Sequence, residues 1–231
     1  MTELMSSNTY FCVCLTLLAF LAGRTLQRKT NLAVLNPILI GAGIVMVVLC
    51  LLDIPNETYQ AGCRVLSYLL TPATIGLAIS FYEQFQALKK HLAAVCIGVL
   101  AGTICSLVSI LLLCRVFGLD RALTIALLPK SITTAIGTPL SEELGGIAAV
   151  TTAAIAITGI FGYTVGPLLC KVLRLTDPIA QGVAFGTSSH VIGTAKATEL
   201  SQLAGAVGSL SLTIAGILSC VLLSLVSQWI G

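Results

Sequence analysis

Long apolar stretches recur along the whole chain, and they decide which class of protein it can form. Six of them approach the roughly 20 residues that a helix needs to cross the hydrocarbon core of a bilayer. They occupy residues 8–23 (the shortest), 31–52, 64–82, 92–114, 147–170 and 205–230. Only 9% of the residues are charged, whereas a soluble domain carries about 25%. The sequence therefore predicts an all-α integral membrane protein, a polytopic helix bundle with a single transmembrane domain over residues 1–231.

Two further stretches, 122–141 and 178–199, are apolar but interrupted. Prolines, a glycine and a lysine break the first, and glycines, a histidine and a lysine break the second. Irregular backbone at membrane depth persists only where it is buried in protein or lines a water-filled cavity. Broken helices also leave unpaired N–H groups whose partial positive charge holds anions. Transporters place such segments at mid-membrane substrate sites, so two of them indicate a solute pathway.

Lysine and arginine in short loops mark the cytoplasmic side of a membrane protein. Basic residues at 24–29 and 89–90 mark two such loops, and the first span is expected to be retained with an outside N-terminus. Lys171 and Arg174 fall on the cytoplasmic side if 122–141 dips into the membrane and returns. We therefore expect six full spans and two re-entrant segments that enter from opposite faces. Eight crossings stay open, and both topologies leave the C-terminus outside.

The segment LLPKSITTAIGTPL carries the first candidate substrate site. A lysine near the bilayer centre costs roughly 2.5–3.5 kcal/mol on insertion scales, so Lys130 is interpreted as the partner of a carboxylate or similar anion. Pro129 breaks the helix immediately before it, and three hydroxyls supply neutral hydrogen bonds. The alternative is that Lys130 snorkels to the outer surface while the hydroxyls bond helix carbonyls. The hydroxyl residues are Ser131, Thr133 and Thr134.

The segment GTSSHVIGTAKATEL carries the second candidate site. An imidazole titrates near neutral pH, so His190 is a candidate carrier of a coupled proton. Lys196 and Glu199 are candidates for coupling or gating. The alternatives are a histidine hydrogen-bonded within the bundle, and a Lys196–Glu199 pair one helical turn apart that faces cytoplasmic water. The candidate substrate-binding residues of this segment are Thr187, Ser188, Ser189, His190, Gly193 and Thr194.

No motif in the sequence indicates an enzyme or a metal-binding protein. The chain lacks a GxSxG elbow, a P-loop and an HExxH motif, and His91 and His190 are not spaced as metal ligands. The nine cysteines have no CxxC spacing and lie mainly within or beside apolar stretches, as small core side chains do. No basic stripe indicates nucleic acid. We expect no catalytic residue, metal or cofactor.

Four motifs carry a resemblance to a known family: LNPILIGA, PATIGLA, LPKSITT and GTSSHVIGTAK. Their sequence and order, over nearly the whole chain, make it similar to the LrgB/CidB/YohK family of bacterial inner-membrane proteins. The family commonly has a glycine at Thr71 and prolines at Ser80 and Ala135, so two kinks are relaxed here. Lys130 and His190 match the family pattern.

The resemblance implies a multi-pass protein of the bacterial cytoplasmic (inner) membrane and two functions of different class. One is transport of small monocarboxylates, because relatives include plastidial glycolate/glycerate translocators and bacterial systems linked to pyruvate uptake. The alternative is antiholin-like regulation of holin pores and of murein hydrolase activity or export. Both imply a small LrgA/CidA-type membrane protein as partner, beside the lipid bilayer and a carboxylate solute, and leave homo-oligomers open. A lysine beside a broken helix favours transport.

Overall fold

A computed structural model describes residues 9–30, 37–69, 72, 75, 89 and 91–229. All regular structure in these residues is helical, which confirms the predicted all-α class. The helices are α1 (Thr9–Thr30), α2 (Pro37–Leu51), α3 (Asn56–Gly62), α4 (Arg64–Tyr68), α5 (Leu92–Val116), α6 (Arg121–Leu127), α7 (Thr134–Glu143), α8 (Ala148–Val172), α9 (Pro178–Leu200) and α10 (Gln202–Val226), with 3₁₀ turns at Leu128–Ser131 and Ser227–Trp229. Of the described helices, α1, α5, α8 and α10 are long and apolar enough to cross a bilayer. The total number of spans stays a prediction.

Residues 1–76 and 77–231 form two compact units by their internal contacts. In the first unit, α1 packs along α2 and also contacts α3 and α4. Helix α1 extends beyond the predicted span 8–23 and includes the basic residues at 24–29, which the charge pattern assigns to a loop. The predicted span 64–82 begins with α4, and most of its remainder, including most of PATIGLA, lies outside the described residues. The single transmembrane domain stays a prediction.

The second unit is built on the three long helices α5, α8 and α10. Their outer faces carry large apolar side chains such as Ile97, Phe161 and Val221, each more than half exposed, as lipid-facing residues are. Three core clusters of described residues lie inside. They are centred on Val99 and Val207, on Leu107 and Leu223, and on Phe185 and Ala204. Two shorter helical hairpins fill the space among the long helices.

Hairpin 1 consists of α6, the 3₁₀ turn Leu128–Ser131 and α7. Asp120 caps the start of α6, where its carboxylate accepts a 2.8 Å hydrogen bond from a backbone N–H. Pro129 has no N–H to continue the helix, and the chain tightens there into the 3₁₀ turn. Helix α7 then returns beside α6. The contact of Gly146, just after α7, with the backbone of Ala126 shows this return. The first interrupted segment therefore folds back on itself.

Hairpin 2 is α9, which consists of two half-helices joined at Ser189 and His190. The backbone of His190 has φ +44° and ψ −140°, a left-handed conformation that is unusual for a residue with a side chain. After this turn, Gly193 lies against the carbonyl of Phe185 in the first half. The second interrupted segment therefore also reverses direction.

The direction of the two halves of hairpin 2 follows from their contacts with α10. In the first half, the residue numbers of contacting pairs rise together, so this half runs parallel to α10. In the second half, they run in opposite order, so this half is antiparallel to α10. The pairs are Gly182 with Ala204 and Gly186 with Gly208 in the first half, and Thr194 with Gly208 and Thr198 with Gly205 in the second.

Candidate functional site

The tips of the two hairpins meet near the middle of the long helix α5. Thr187 of hairpin 2 lies against Gly102, and the Ser131 hydroxyl of hairpin 1 lies 3.0 Å from that of Ser106. At 1.5 Å per residue, both contacts on α5 (Leu92–Val116) are about 15 Å from the nearer helix end. Hairpin 1 starts after the C-terminal end of α5 and hairpin 2 after that of α8, so the tips arrive from opposite ends of the unit.

Lys130 lies at the contact between the tips, in the wall of a cavity of about 300 Å³. This volume is at the lower end of the range typical of small-molecule sites. The cavity extends from Lys130, Ser188 and Ser189 to Leu173 and Leu175, beyond the last turn of α8. Its wall is mainly apolar, so it provides one cationic group and a few hydroxyls within an otherwise hydrophobic surface.

Lys130 has no acidic partner among the described residues. Its ammonium nitrogen lies 3.4 Å from the Ser131 hydroxyl oxygen, and the one ion pair within the described residues involves another lysine. The side chain is half-buried rather than extended into solvent. A protonated lysine carries three donors and no acceptor, so the cavity presents a donor group that suits a carboxylate.

The hydroxyls of hairpin 2 at the tip are already engaged as donors. Ser188 donates to the Ala184 carbonyl at 2.7 Å, and Thr187 donates to the Val183 carbonyl at 2.7 Å. The Ser188 and Ser189 oxygens are 2.9 Å apart. Since the Ser188 proton is committed to the helix, Ser189 donates in that pair. These hydroxyls therefore present lone pairs, and Lys130 is the main donor toward a bound anion.

Glycines on α8 allow the tip of hairpin 2 to approach closely. Ser189 lies against Gly162, and the ring of His190 lies against Gly159. A side chain at either glycine would occupy the volume that the tip now fills. The position of Ser189, and hence one wall of the cavity, depends on this contact.

His190 is buried and bonded within the bundle. Its Nε2 lies 2.8 Å from the Ile155 carbonyl oxygen, and since a carbonyl only accepts, Nε2 donates. The bond ties the turn of hairpin 2 to α8. This is the arrangement named as the alternative in the sequence analysis, and the role of His190 in proton coupling stays a prediction.

The remaining predicted residues take supporting positions at the tips. Pro129 is buried in the 3₁₀ turn, Thr133 is the N-cap residue of α7 but makes no side-chain cap bond, and Thr134 at the start of α7 is exposed. Gly193 packs on the first half of hairpin 2, and Thr194 donates to the His190 carbonyl at 2.9 Å. Pro129, Gly193 and Thr194 shape the reversals, and direct contact of these residues with substrate stays a prediction.

Lys196 and Glu199 pair with each other at 2.7 Å, three residues apart on the returning half of hairpin 2. The Lys196 ammonium also lies 4.8 Å from the centre of the Tyr163 ring, and the Tyr163 hydroxyl donates to Glu199 at 2.9 Å. The pair is partly exposed. The pairing one helical turn apart is present as the alternative described it, while its contact with cytoplasmic water and a role in gating stay predictions.

Sequence reasoning missed the hydroxyls that the long helices contribute to the tips. These residues line a second, much smaller cavity together with Ser131 and Thr187. The sequence could have indicated two of them, Thr103 and Ser106, because hydroxyl residues three positions apart lie on the same face of a helix. The residues are Thr103 and Ser106 of α5 and Ser219 of α10.

Comparison with known proteins shows sequence similarity over nearly the whole chain. The sequence model of the LrgB-like family matches residues 16–229. Proteins named "Antiholin-like protein LrgB" from Bacillus mycoides (strain KBAB4), Bacillus cereus (strain B4264) and Bacillus anthracis (strain CDC 684 / NRRL 3495) are each 32% identical to the chain over 223 residues, which cover 96% of the chain and 97% of each relative. No solved structure matches the chain.

Proposed function

The chain belongs to the LrgB-like family, and on this premise we propose that it carries small monocarboxylates, such as pyruvate or glycolate, across the bacterial cytoplasmic membrane. One observation supports the proposal above all others. Lys130, without an acidic partner among the described residues, lies in the wall of a 300 Å³ cavity where two broken helices meet. A carboxylate would supply the missing counter-charge.

The dimensions and chemistry of the cavity favour a small monoanion. A single ammonium group balances one negative charge, and the apolar remainder of the wall suits a short carbon chain. The second half of hairpin 2 and helix α7 both begin at the tips, where their unpaired N–H groups add positive potential. We propose no catalytic step and no cofactor.

The proposed topology places hairpins 1 and 2 as re-entrant segments that enter the membrane from opposite faces between six full spans. Lys171 and Arg174 then face the cytoplasm, and both chain ends face outside. In this orientation the Lys130 cavity opens toward the cytoplasm, beside Leu173 and Leu175. A site at mid-membrane between two opposed half-helices is the arrangement that alternating-access carriers use.

A second function, antiholin-like regulation, has the better support from the comparisons. The relatives at 32% identity over 96% of the chain are named antiholin-like proteins. On this hypothesis the chain modulates a holin-like pore, and with it murein hydrolase activity or export, through a small LrgA/CidA-type partner. Both hypotheses involve the same fold and the same partner. Only a measurement of solute movement across the membrane can therefore distinguish them.

Uptake into proteoliposomes separates the two functions. The purified chain is reconstituted with and without the LrgA/CidA-type partner, and entry of radiolabelled pyruvate and glycolate is measured against protein-free vesicles. Saturable uptake that excess unlabelled carboxylate blocks is the expected result. No uptake in either preparation, together with a carboxylate-independent change in leak through the partner, would refute transport and support the regulator.

A further inference from the structure

Two cysteines of the first unit lie where α1 contacts the junction of α3 and α4. Cys12 is in the first turn of α1, and Cys63 stands between α3 and α4. Gly62 lies against the Cβ and Sγ atoms of Cys12, and a side chain at position 62 would overlap that thiol. The glycine therefore allows the backbone next to Cys63 to approach Cys12 closely.

The contacts of Cys63 place its sulfur over the same turn of α1. Its Sγ lies 3.6 Å from the Thr16 hydroxyl oxygen. Thr16 is four positions after Cys12, so both lie on one face of α1, and its hydroxyl donates to the Cys12 carbonyl at 2.7 Å. The two thiols also share a side-chain hydrogen bond. Because they are in contact, side-chain rotation is sufficient to bring the sulfurs to the roughly 2.05 Å of an S–S bond.

The compartment in which the two thiols are expected favours their oxidation. Disulfides persist outside the bacterial cytoplasmic membrane and are rare in the cytosol. In the proposed topology the N-terminus faces outside, and Cys12 is near that end of α1. We propose that Cys12 and Cys63 form a modification site, joined by a disulfide that ties α1 to the junction of α3 and α4. The compartment of this site rests on the proposed topology, whereas its geometry rests on the contacts alone.

The two thiols differ in accessibility, which sets the order of the reaction. Cys63 is half-buried, whereas Cys12 is only 1% exposed. The Cys63 thiolate attacks the disulfide of a donor protein, and one donor sulfur leaves as a thiolate. The Cys12 thiolate then attacks the Cys63 sulfur, and the second donor sulfur leaves. Two thiols of the chain are oxidised to one disulfide, the donor disulfide is reduced to two thiols, and two protons pass from the chain to the donor.

Oxidation of the purified full-length chain tests the geometry of the site. The chain is incubated with oxidised glutathione, the remaining thiols are alkylated, and unreduced peptides are identified by mass spectrometry. A Cys12–Cys63 link is expected, and it should raise the midpoint of thermal unfolding by about 4–16 °C. Cys12→Ser and Cys63→Ser should each lose both effects. The Cys14→Ala, Cys50→Ala double variant is the matched control, because both thiols are exposed nearby on α1 and α2, and it should retain both effects.

The same peptides from aerobically grown cells, with thiols blocked by N-ethylmaleimide at lysis, test whether the disulfide forms in the membrane. A Cys12–Cys63 link in cells is the expected result. A link in the oxidised purified chain with both residues alkylated in cells would overturn the modification. Glutathione retained on Cys63 without a link to Cys12, or loss of the link in the control variant, would overturn the geometry. Carboxylate uptake is measured separately, so failure of the disulfide leaves the transport proposal in place.

Discussion

Replacement of Gly162 by alanine tests whether the tip of hairpin 2 is held against α8 as described. Gly162 lies in the middle of α8, and Ser189 occupies the space where a side chain would point. Both the hydroxyl and the Cβ of Ser189 contact that space, so a rotamer change of the serine cannot relieve the overlap. The tip must shift, and the wall of the Lys130 cavity shifts with it.

The expected loss of stability follows from two opposing terms. Overpacking by one methyl group costs about 1–3 kcal/mol, while glycine-to-alanine replacement inside a helix gains about 1 kcal/mol. Gly43 in α2 provides the matched control, because no atom lies within 4 Å of its added Cβ. The two alanine variants should therefore differ by about 1–3 kcal/mol, the overpacking term alone.

Thermal unfolding of the detergent-purified variants, followed with a thiol-reactive dye, measures this difference. Gly162→Ala should unfold below Gly43→Ala, by about 2–4 °C for each kcal/mol in a chain of this length. The Gly162→Ala, Ser189→Gly double variant should recover most of the loss, because it removes both contacting atoms. Equal midpoints for the two single variants would refute the described seating of the tip on α8.

Three further predictions concern topology, the turn of hairpin 2 and its ion pair. A cysteine at Val172 in a cysteine-depleted background should resist an impermeant reagent added to intact cells; labelling would favour eight crossings. His190→Ala should destabilise the chain by about 0.5–1.5 kcal/mol, because it removes the buried hydrogen bond from the ring to the Ile155 carbonyl. His190→Gln should keep stability and carboxylate binding at fixed pH while proton dependence disappears; retained pH dependence would exclude His190 as the proton carrier. Glu199→Gln should change stability by less than about 1 kcal/mol, because its ion pair is partly exposed; a loss of uptake would instead assign it a gating role.

The sequence was sufficient to locate both helix interruptions, but it could not identify the residue at which hairpin 2 turns. Glycine is the usual choice for an unusual backbone, and Gly186 and Gly193 flank the turn. In the structure both glycines allow close packing: Gly186 lies against Gly208, and Gly193 lies against Phe185. The left-handed residue is His190 instead, and its bond to α8 and the surrounding contacts offset the strain.

The tertiary partners of the tips could not be predicted because periodicity does not report which helices meet. Thr103 and Ser106 resemble ordinary hydroxyls of an apolar span, where Ser and Thr commonly bond their own helix. Only the position of hairpin 1 beside α5 shows that Ser106 faces Ser131. The candidate role of Lys130 could be predicted from the sequence, because a lysine within an apolar segment is costly to insert into a membrane and indicates a functional site.

Carboxylate binding to Lys130→Met, compared with the parent chain, tests the central claim most directly. Methionine removes the charge and eases insertion, so the variant should accumulate normally. Loss of one charge-assisted hydrogen bond costs about 1.5–3 kcal/mol, which predicts pyruvate binding weaker by about 10- to 150-fold. Lys171→Met removes an equal charge from an exposed position and should bind like the parent. Equal pyruvate affinity in the Lys130→Met variant and the parent would contradict the claim and leave antiholin-like regulation as the function of the chain.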